Sequence, residues 1–414
     1  MSFPVTPTPA QPPTSLSPVP VRGVQRGAAT GRPAARVTRA ESAAAVLTID
    51  HAAIAANIAL MREGVGVDVL VVVKANGFGL GAVQVARTAI TAGASALGVA
   101  TVDEAIELRT AGISQRVLAW LGHPRADLAA ALRLRIELGA GTTEMLTAIA
   151  ATATALGMQA RVHLQADTGM HRGGARGEDW TELCRLAARF ERSGTIRVLG
   201  VWSHLANPSN AHWSAVADQV IEFNLDLGTA IACGLRPEDA HLASSGAALA
   251  HSRTRYSLVR AGAAVYGIEP VDSRQYGFLP VARVAGRVSA LQSVGAGASV
   301  GYGGGFVTSH PTTLALVPLG YADGIPRTLA GTGWVSINGV RARIVGAISM
   351  DQVVIDVGGL PVASGDEVVF VGDPARGEPS LAEVARWAGT IPQEILTGLG
   401  SRFERVHLGA VRVA

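Results

Sequence analysis

Residues 67–100 read VDVLVVVKANGFGLGAVQVARTAITAGASALGVA. The opening run, Val67–Val73, is almost wholly apolar and rich in β-branched valine, the texture of a strand buried on both faces. Gly77, Gly79 and Gly81 punctuate the next stretch. Gly81–Ala94 then carries apolar residues at helical spacing, and Ala96–Ala100 is apolar again. Strand, Gly-rich turn, helix and second strand make one parallel crossover unit.

The same alternation repeats on the C-terminal side. Further apolar runs fall at Arg116–Trp120, Arg135–Leu138, Val162–Gln165, Ile196–Ser203, His241–Ser244 and Leu258–Arg260. Helical patterns at Val102–Ala111, Thr143–Ala155, Trp180–Arg192 and Trp213–Cys233 lie between most of them. Eight strands alternating with helices predict an α/β fold, a (β/α)8 TIM-like barrel. An open doubly wound sheet is the alternative. No G-x-G-x-x-G follows the first strand, which argues against dinucleotide binding. From Ala282 the runs Val284–Val294, Thr312–Val317, Trp334–Ile337, Val340–Ile344 and Val353–Asp356 are joined by Gly-rich turns, with one helix at Leu381–Trp387. They predict a mostly β C-terminal domain. The expected organisation is a disordered Pro/Arg-rich tail over 1–44, a barrel over 45–281 that opens with a helix capped by Asp50, and a β-rich domain over 282–414.

The composition narrows the function. Hydrophobic residues are 48% and charged residues 16% of 414, enough for a sizeable core. Residues 1–40 hold eight of the 20 prolines and five arginines with no acid. Removing those five charges from the net +3 leaves about −2 for the rest, so the body is not a basic nucleic-acid binder. No apolar run reaches the roughly 18 residues of a membrane span. The tail lacks the apolar segment of a secretory signal, and a cytoplasmic protein is expected. Cys184 and Cys233 are too few for a disulfide framework or a structural zinc site; no metal is expected.

Of 35 basic side chains, 34 are arginine and one is lysine, Lys74. On a solvated surface the two are nearly equivalent. Only lysine loses its proton at accessible pH and attacks a carbonyl as a free amine. Lys74 ends the first barrel strand, on the rim where barrels collect reactive groups. Arg172 follows the fifth strand, His204 the sixth, Ser244 and Ser245 the seventh, and Arg260 the eighth. Ser244-Ser245-Gly246 and Arg260-Ala261-Gly262-Ala263 offer a hydroxyl and backbone amides where barrels commonly hold phosphate. A carbonyl-reactive lysine beside a phosphate cradle points to pyridoxal 5'-phosphate.

Six segments resemble the alanine racemase family, in its order. They are Val71-Val72-Val73-Lys74-Ala75-Asn76-Gly77-Phe78-Gly79, Asp167-Thr168-Gly169-Met170-His171-Arg172, Leu258-Val259-Arg260-Ala261-Gly262, Gly301-Tyr302-Gly303, Gly320-Tyr321-Ala322-Asp323-Gly324 and Ile348-Ser349-Met350-Asp351-Gln352. The resemblance spans 45–412. It implies that Lys74 carries pyridoxal 5'-phosphate and acts as acid/base on one face of the substrate, with Tyr302 of a second subunit on the other. It implies that His204 and Arg260 assist Tyr302, and that Arg260 faces the pyridine nitrogen. Arg172 would contact the cofactor's phenolic oxygen and the substrate carboxylate. Ser244, Ser245, Gly262 and Ala263 would hold the phosphate. The Met350 amide would meet the carboxylate, and Tyr321 and Asp351 would line the mouth from the partner chain. The implied protein is a homodimer with shared active sites that interconverts L- and D-alanine and supplies D-alanine for peptidoglycan.

Four positions depart from the family pattern. Phe78 and Ser401 stand where tyrosines usually bind the phosphate, Leu80 replaces a histidine, and Gln165 replaces a lysine that many members carbamylate. Gln165 is expected to reach Arg172 without the charge. A serine or broader-specificity racemase is a near alternative. Decarboxylation is disfavoured by Arg260, since such enzymes place an acid there. A non-catalytic cofactor carrier is disfavoured by the β domain with Tyr302.

Overall fold

The structure, a computed structural model, describes residues 43–209, 212–271 and 274–410. All but the last two residues of the expected disordered tail lie outside them. The chain opens on β1 (Ala45–Asp50), and the Asp50 carboxylate then caps the helix His51–Val65 by accepting from the amides of Ala52 and Ala53. Eight parallel strands follow: β2 (Asp68–Val72), β3 (Ala96–Val99), β4 (Val117–Ala119), β5 (Glu137–Ala140), β6 (Ala160–Gln165), β7 (Ile196–Trp202), β8 (Asp239–His241) and β9 (Leu258–Ala261). Each matches an expected run within a few residues. Their order is β8-β7-β6-β5-β4-β3-β2-β9.

The two ends of that sheet meet. Ser244 and Arg260 form an isolated parallel bridge, and the Arg260 amide donates to Ala243 O at 3.0 Å. The sheet is therefore a nearly closed barrel with a thin seam between β8 and β9, and the open-sheet alternative falls. Helices alternate with the strands as expected. The Trp213–Cys233 pattern resolves into a 3-10 turn, Trp213–Ala215, and a helix, Ala217–Ala232.

The second domain adds β10 (Ala282–Arg287), β11 (Ala290–Val294), β12 (Ser299–Val300), β13 (Phe306–Val307), β14 (Thr312–Val317), β15 (Trp334–Ile337), β16 (Val340–Val345), β17 (Val353–Asp356), β18 (Glu367–Val371) and β19 (Glu404–Leu408). Nine strands form one sheet in the order β11-β14-β17-β16-β15-β18-β10-β1-β19. Two details differ from expectation. The single run Val284–Val294 splits, because the chain changes partner there: Val288 N–H donates to Asp366 O and Ser289 N–H to Leu316 O. And β1 belongs to this second sheet, not to the barrel segment 45–281. It alternates buried and half-buried residues, with Ala45, Leu47 and Ile49 inward, and lies antiparallel to β10 and parallel to β19. One hydrophobic core runs through both domains. Among the described residues no helix is long and apolar enough to cross a membrane.

Candidate active site

Lys74 leaves the end of β2 on an unusual turn. Ala75, Asn76, Gly77 and Phe78 all hold positive φ, between 52° and 61°. For L-residues this left-handed conformation costs about 1–2 kcal/mol each, so the surroundings must impose it. The Ala75 amide donates to Glu104 Oε1 at 2.7 Å, and Asn76 Oδ1 accepts from the Ala82 amide at 3.0 Å. Gly77 N–H donates to Val73 O and Gly81 N–H to Asn76 O. A side chain at Gly79 would strike Leu396 O of the helix Pro392–Thr397, so the second domain presses on the turn from outside. The lysine is thus mounted on strained backbone clamped from both domains.

The Lys74 amine lies 5.8 Å from the Trp120 ring centroid. Burial lowers its pKa, Arg172 and Arg260 lower it further, and Glu104 opposes them. The same cations gather on His204, which burial, then Arg260, Arg172 and Lys74 push down to about 3. Lys74, Arg172, His204 and Arg260 therefore share one rim, as expected. Arg260 is buried and heavily held. Nη1 donates to His241 Nδ1 and His241 O, and Nη2 to His204 Nδ1 and to the carbonyls of Ser203 and Leu242, all within 2.8–3.0 Å. Its Nε–H finds no acceptor among the described residues. Burial and Arg172 pull the guanidinium down to about 9, which still leaves it protonated at neutral pH. Arg172 is exposed and donates to no acceptor among the described residues. The loop carrying it is shaped by Asp167, whose Oδ1 accepts the amides of Gly169, Met170 and His171. Gln165 does not engage Arg172; its amide donates to Gly173 O at 3.0 Å.

Ser245 starts the short helix Ser245–Ala250 after β8, and Ala263 starts a 3-10 turn after β9. Ser245 Oγ accepts from the Gly262 amide at 3.0 Å. That amide is already engaged, while the Ser245 hydroxyl proton and the Ala263 amide have no partner among the described residues. Phe78 closes this corner by stacking on Tyr266 with ring centroids 4.2 Å apart. The Tyr266 hydroxyl donates to Val72 O. Packing thus replaces the phenol that Phe78 lacks. An amine of lowered pKa, a free guanidinium N–H and a hydroxyl-and-amide corner on one rim fit the aldehyde, ring nitrogen and phosphate of pyridoxal 5'-phosphate.

Tyr302, Tyr321, Met350 and Asp351 gather elsewhere, on loops of the second domain. Tyr321 N–H donates to Ser349 O and Ala322 N–H to Met350 O. Gly301 packs against Ala347, so three of the sequence motifs meet there. Arg402 ties the patch down: Nε and Nη2 grip the buried Asp323 carboxylate at 2.7 and 3.0 Å, and Nη1 donates to Asp351 at 2.6 Å. All four residues are exposed, Tyr302 by 77%. Among the described residues no hydrogen bond or ring contact links them to the rim residues.

Sequence reasoning passed over what lies beneath Arg260. Arg260 sits over the Trp202 ring at 5.2 Å, Trp202 stacks on His241, and the buried Trp202 Nε1 has no partner. Glu137, His163 and His241 are polar residues buried within barrel strands. Polar residues at such positions were the available signal.

Models of the alanine racemase N-terminal and C-terminal domains match residues 49–270 and 281–407. Alanine racemase of Beutenbergia cavernae is 43% identical over 366 residues, 87% of this chain and 97% of that one. That of Salinispora arenicola is 40% identical, over 86% and 96%. The crystal structure of alanine racemase from D-cycloserine-producing Streptomyces lavendulae superposes with a TM-score of 0.87 at 40% identity, covering 89% of this chain and 98% of that one. The alanine racemase of Bartonella henselae, solved with covalently bound pyridoxal phosphate, gives 0.81 at 31% identity, over 88% and 100%.

Proposed function

The chain belongs to the alanine racemase family, and from that membership we propose how its residues interconvert L- and D-alanine. Pyridoxal 5'-phosphate, when bound, supplies an electron sink that acidifies the substrate Cα–H. Inversion then needs one group to take a proton and another to return one on the opposite face. Lys74 serves one face. Its amine is biased toward the free base by burial and by Arg172 and Arg260, so it accepts a proton at a pH where an ordinary lysine cannot. Tyr302, lent by a second copy of the chain, serves the other. Arg172, uncommitted among the described residues, takes the substrate carboxylate, helped by the Met350 amide from the second copy. Tyr321 and Asp351 shape the mouth. Arg260, still protonated at neutral pH, would offer Nε–H to the ring nitrogen, which would keep the sink weak and favour return of the proton to Cα. The Ser245 hydroxyl and Ala263 amide, with Ser244 and Gly262 around them, take the phosphate.

The observation that carries this reading is the split of the machinery. A cationic rim with one reactive amine lies on the barrel, and the phenol that must oppose it stands exposed on the other domain. In this proposal the segment 45–281 is the cofactor-holding barrel and 282–414 the arm that completes a neighbour's site, in a cytoplasmic homodimer supplying D-alanine to peptidoglycan. Mixing subunits tests it. Lys74→Ala and Tyr302→Phe chains are each expected to be nearly inactive alone. Co-refolded in equal amounts they should recover about a quarter of wild-type activity, because half the dimers then hold one intact site. No recovery, with mixed dimers present by native mass spectrometry, refutes the shared site.

A further inference from the structure

A hydrogen-bonded chain crosses the barrel interior from its lower end to Arg260. At the bottom Arg116 grips Glu137 with two bonds, Nε–Oε1 at 3.0 Å and Nη2–Oε2 at 3.1 Å, and reaches Asp239 at 2.7 Å. Glu137 Oε2 meets His163 Nε2 at 3.1 Å, His163 Nδ1 meets His241 Nε2 at 3.0 Å, and His241 Nδ1 meets Arg260 Nη1 at 3.0 Å. Glu137, His163, His241 and Arg260 are all buried. The barrel makes room for them. A β-bulge between Val162 and His163 sets His163 opposite Gly200, and any side chain at Gly200 would collide with the imidazole.

The direction of this chain is fixed by chemistry. A guanidinium only donates, so His241 Nδ1 must accept. His241 is neutral, since burial, Arg260, His163 and Arg116 hold its pKa well below the ordinary value. Its one proton is then on Nε2, which obliges His163 Nδ1 to accept and places the His163 proton on Nε2. That proton needs a pure acceptor. Glu137 is one: burial works to raise its pKa, but bonds from His163 and Arg116 outweigh this and hold it down to about 2. Each step runs Arg260 to His241 to His163 to Glu137, and no link can be reversed without setting two N–H groups against each other.

We propose that Glu137 is a positioning residue, which through the tautomers of His163 and His241 anchors the Arg260 guanidinium with Nε–H free for the cofactor ring. This rests on the assignment of Arg260 to that ring. Glutamine at 137 would keep its oxygen on Arg116 Nε and set its NH2 against His163 Nε2, with Arg116 Nη2 left to Asp239; this reverses the tautomers and costs Arg260 its bond to His241. A ring nitrogen less firmly held gains access to water and protons. The sink then deepens, and more turnovers end in the side reaction in which alanine and the cofactor aldehyde exchange amino group for oxygen, one pyruvate released per amino group left on the cofactor.

The test uses 15N-histidine-labelled protein and long-range 1H–15N spectra, with and without pyridoxal 5'-phosphate. In the wild type both His163 and His241 should be neutral and protonated on Nε2. Nδ1 protonation of either overturns the proposal, whether or not any variant folds. In Glu137→Gln at least one tautomer should change, and pyruvate formed per racemisation event should rise about tenfold. Unaltered tautomers or an unaltered pyruvate ratio in the folded variant overturn it as well, and Glu137→Asp should restore both toward wild type. A wild type that fails to bind the cofactor would instead refute the reading of the site, because the tautomers are read on the protein alone.

Discussion

The rim of the barrel and the loop patch of the second domain carry the two halves of one proposed reaction, yet they are built in opposite ways. At the rim the fold spends structure to hold reactive groups still. Lys74 stands on four successive left-handed residues, and Arg260 makes five bonds through its two Nη atoms. At the patch the backbone is stitched but the side chains are bare. Tyr302, Tyr321, Met350 and Asp351 all face outward; among the described residues Asp351 is anchored by Arg402, and the Tyr321 ring lies 5.7 Å from the Arg327 guanidinium. The contrast teaches that preorganisation within one chain is invested at the proposed cofactor rim. In the proposed dimer the remaining order comes from a neighbour.

The most severe way to break the rim is Lys74→Arg. The charge stays, the carbonyl-reactive amine goes, and racemisation followed by chiral chromatography should fall by about 10³-fold or more. Borohydride should no longer fix the cofactor to the peptide containing residue 74. Arg402→Ala attacks the patch alone. It leaves the buried Asp323 carboxylate without its bidentate partner, and the urea unfolding midpoint should fall, while Lys74 keeps its cofactor absorbance. Loss of that absorbance would mean that the two regions are not independent. The mildest probe is Arg172→Gln. Arg172 disfavours protonated Lys74, so its removal raises the lysine pKa. The pH midpoint for cofactor uptake by the apoprotein should move upward; a midpoint that stays or falls removes Arg172 from the electrostatics of the rim.

Much of this was legible in the residues. Short apolar runs alternating with helical patterns placed all eight barrel strands, because a strand buried on both faces tends to a continuous apolar run. Lys74 was visible by its solitude. β1 was passed over because half-buried strands alternate and its partners lie some 230 and 360 residues away, at Ala282–Arg287 and Glu404–Leu408. The left-handed turn had a local sign in Asn76-Gly77, but its depth depends on Glu104 and Leu396, which no local pattern joins to it. Gln165 could hydrogen-bond Arg172 by type, and instead donates to Gly173 O in its own loop. The chain from Glu137 to Arg260 needed the barrel closed before four distant polar residues became neighbours.

The placement of β1 between β10 and β19 has a practical corollary. The domain that begins at Ala282 is completed by a ribbon from the front of the described residues and by another from their back. A gene fragment cut before 282 would strip that sheet of an interior member and leave Leu47 and Ile49 uncovered on the excised piece. Through the front ribbon the two domains share one hydrophobic core, so a fragment lacking β1 should fold poorly on its own.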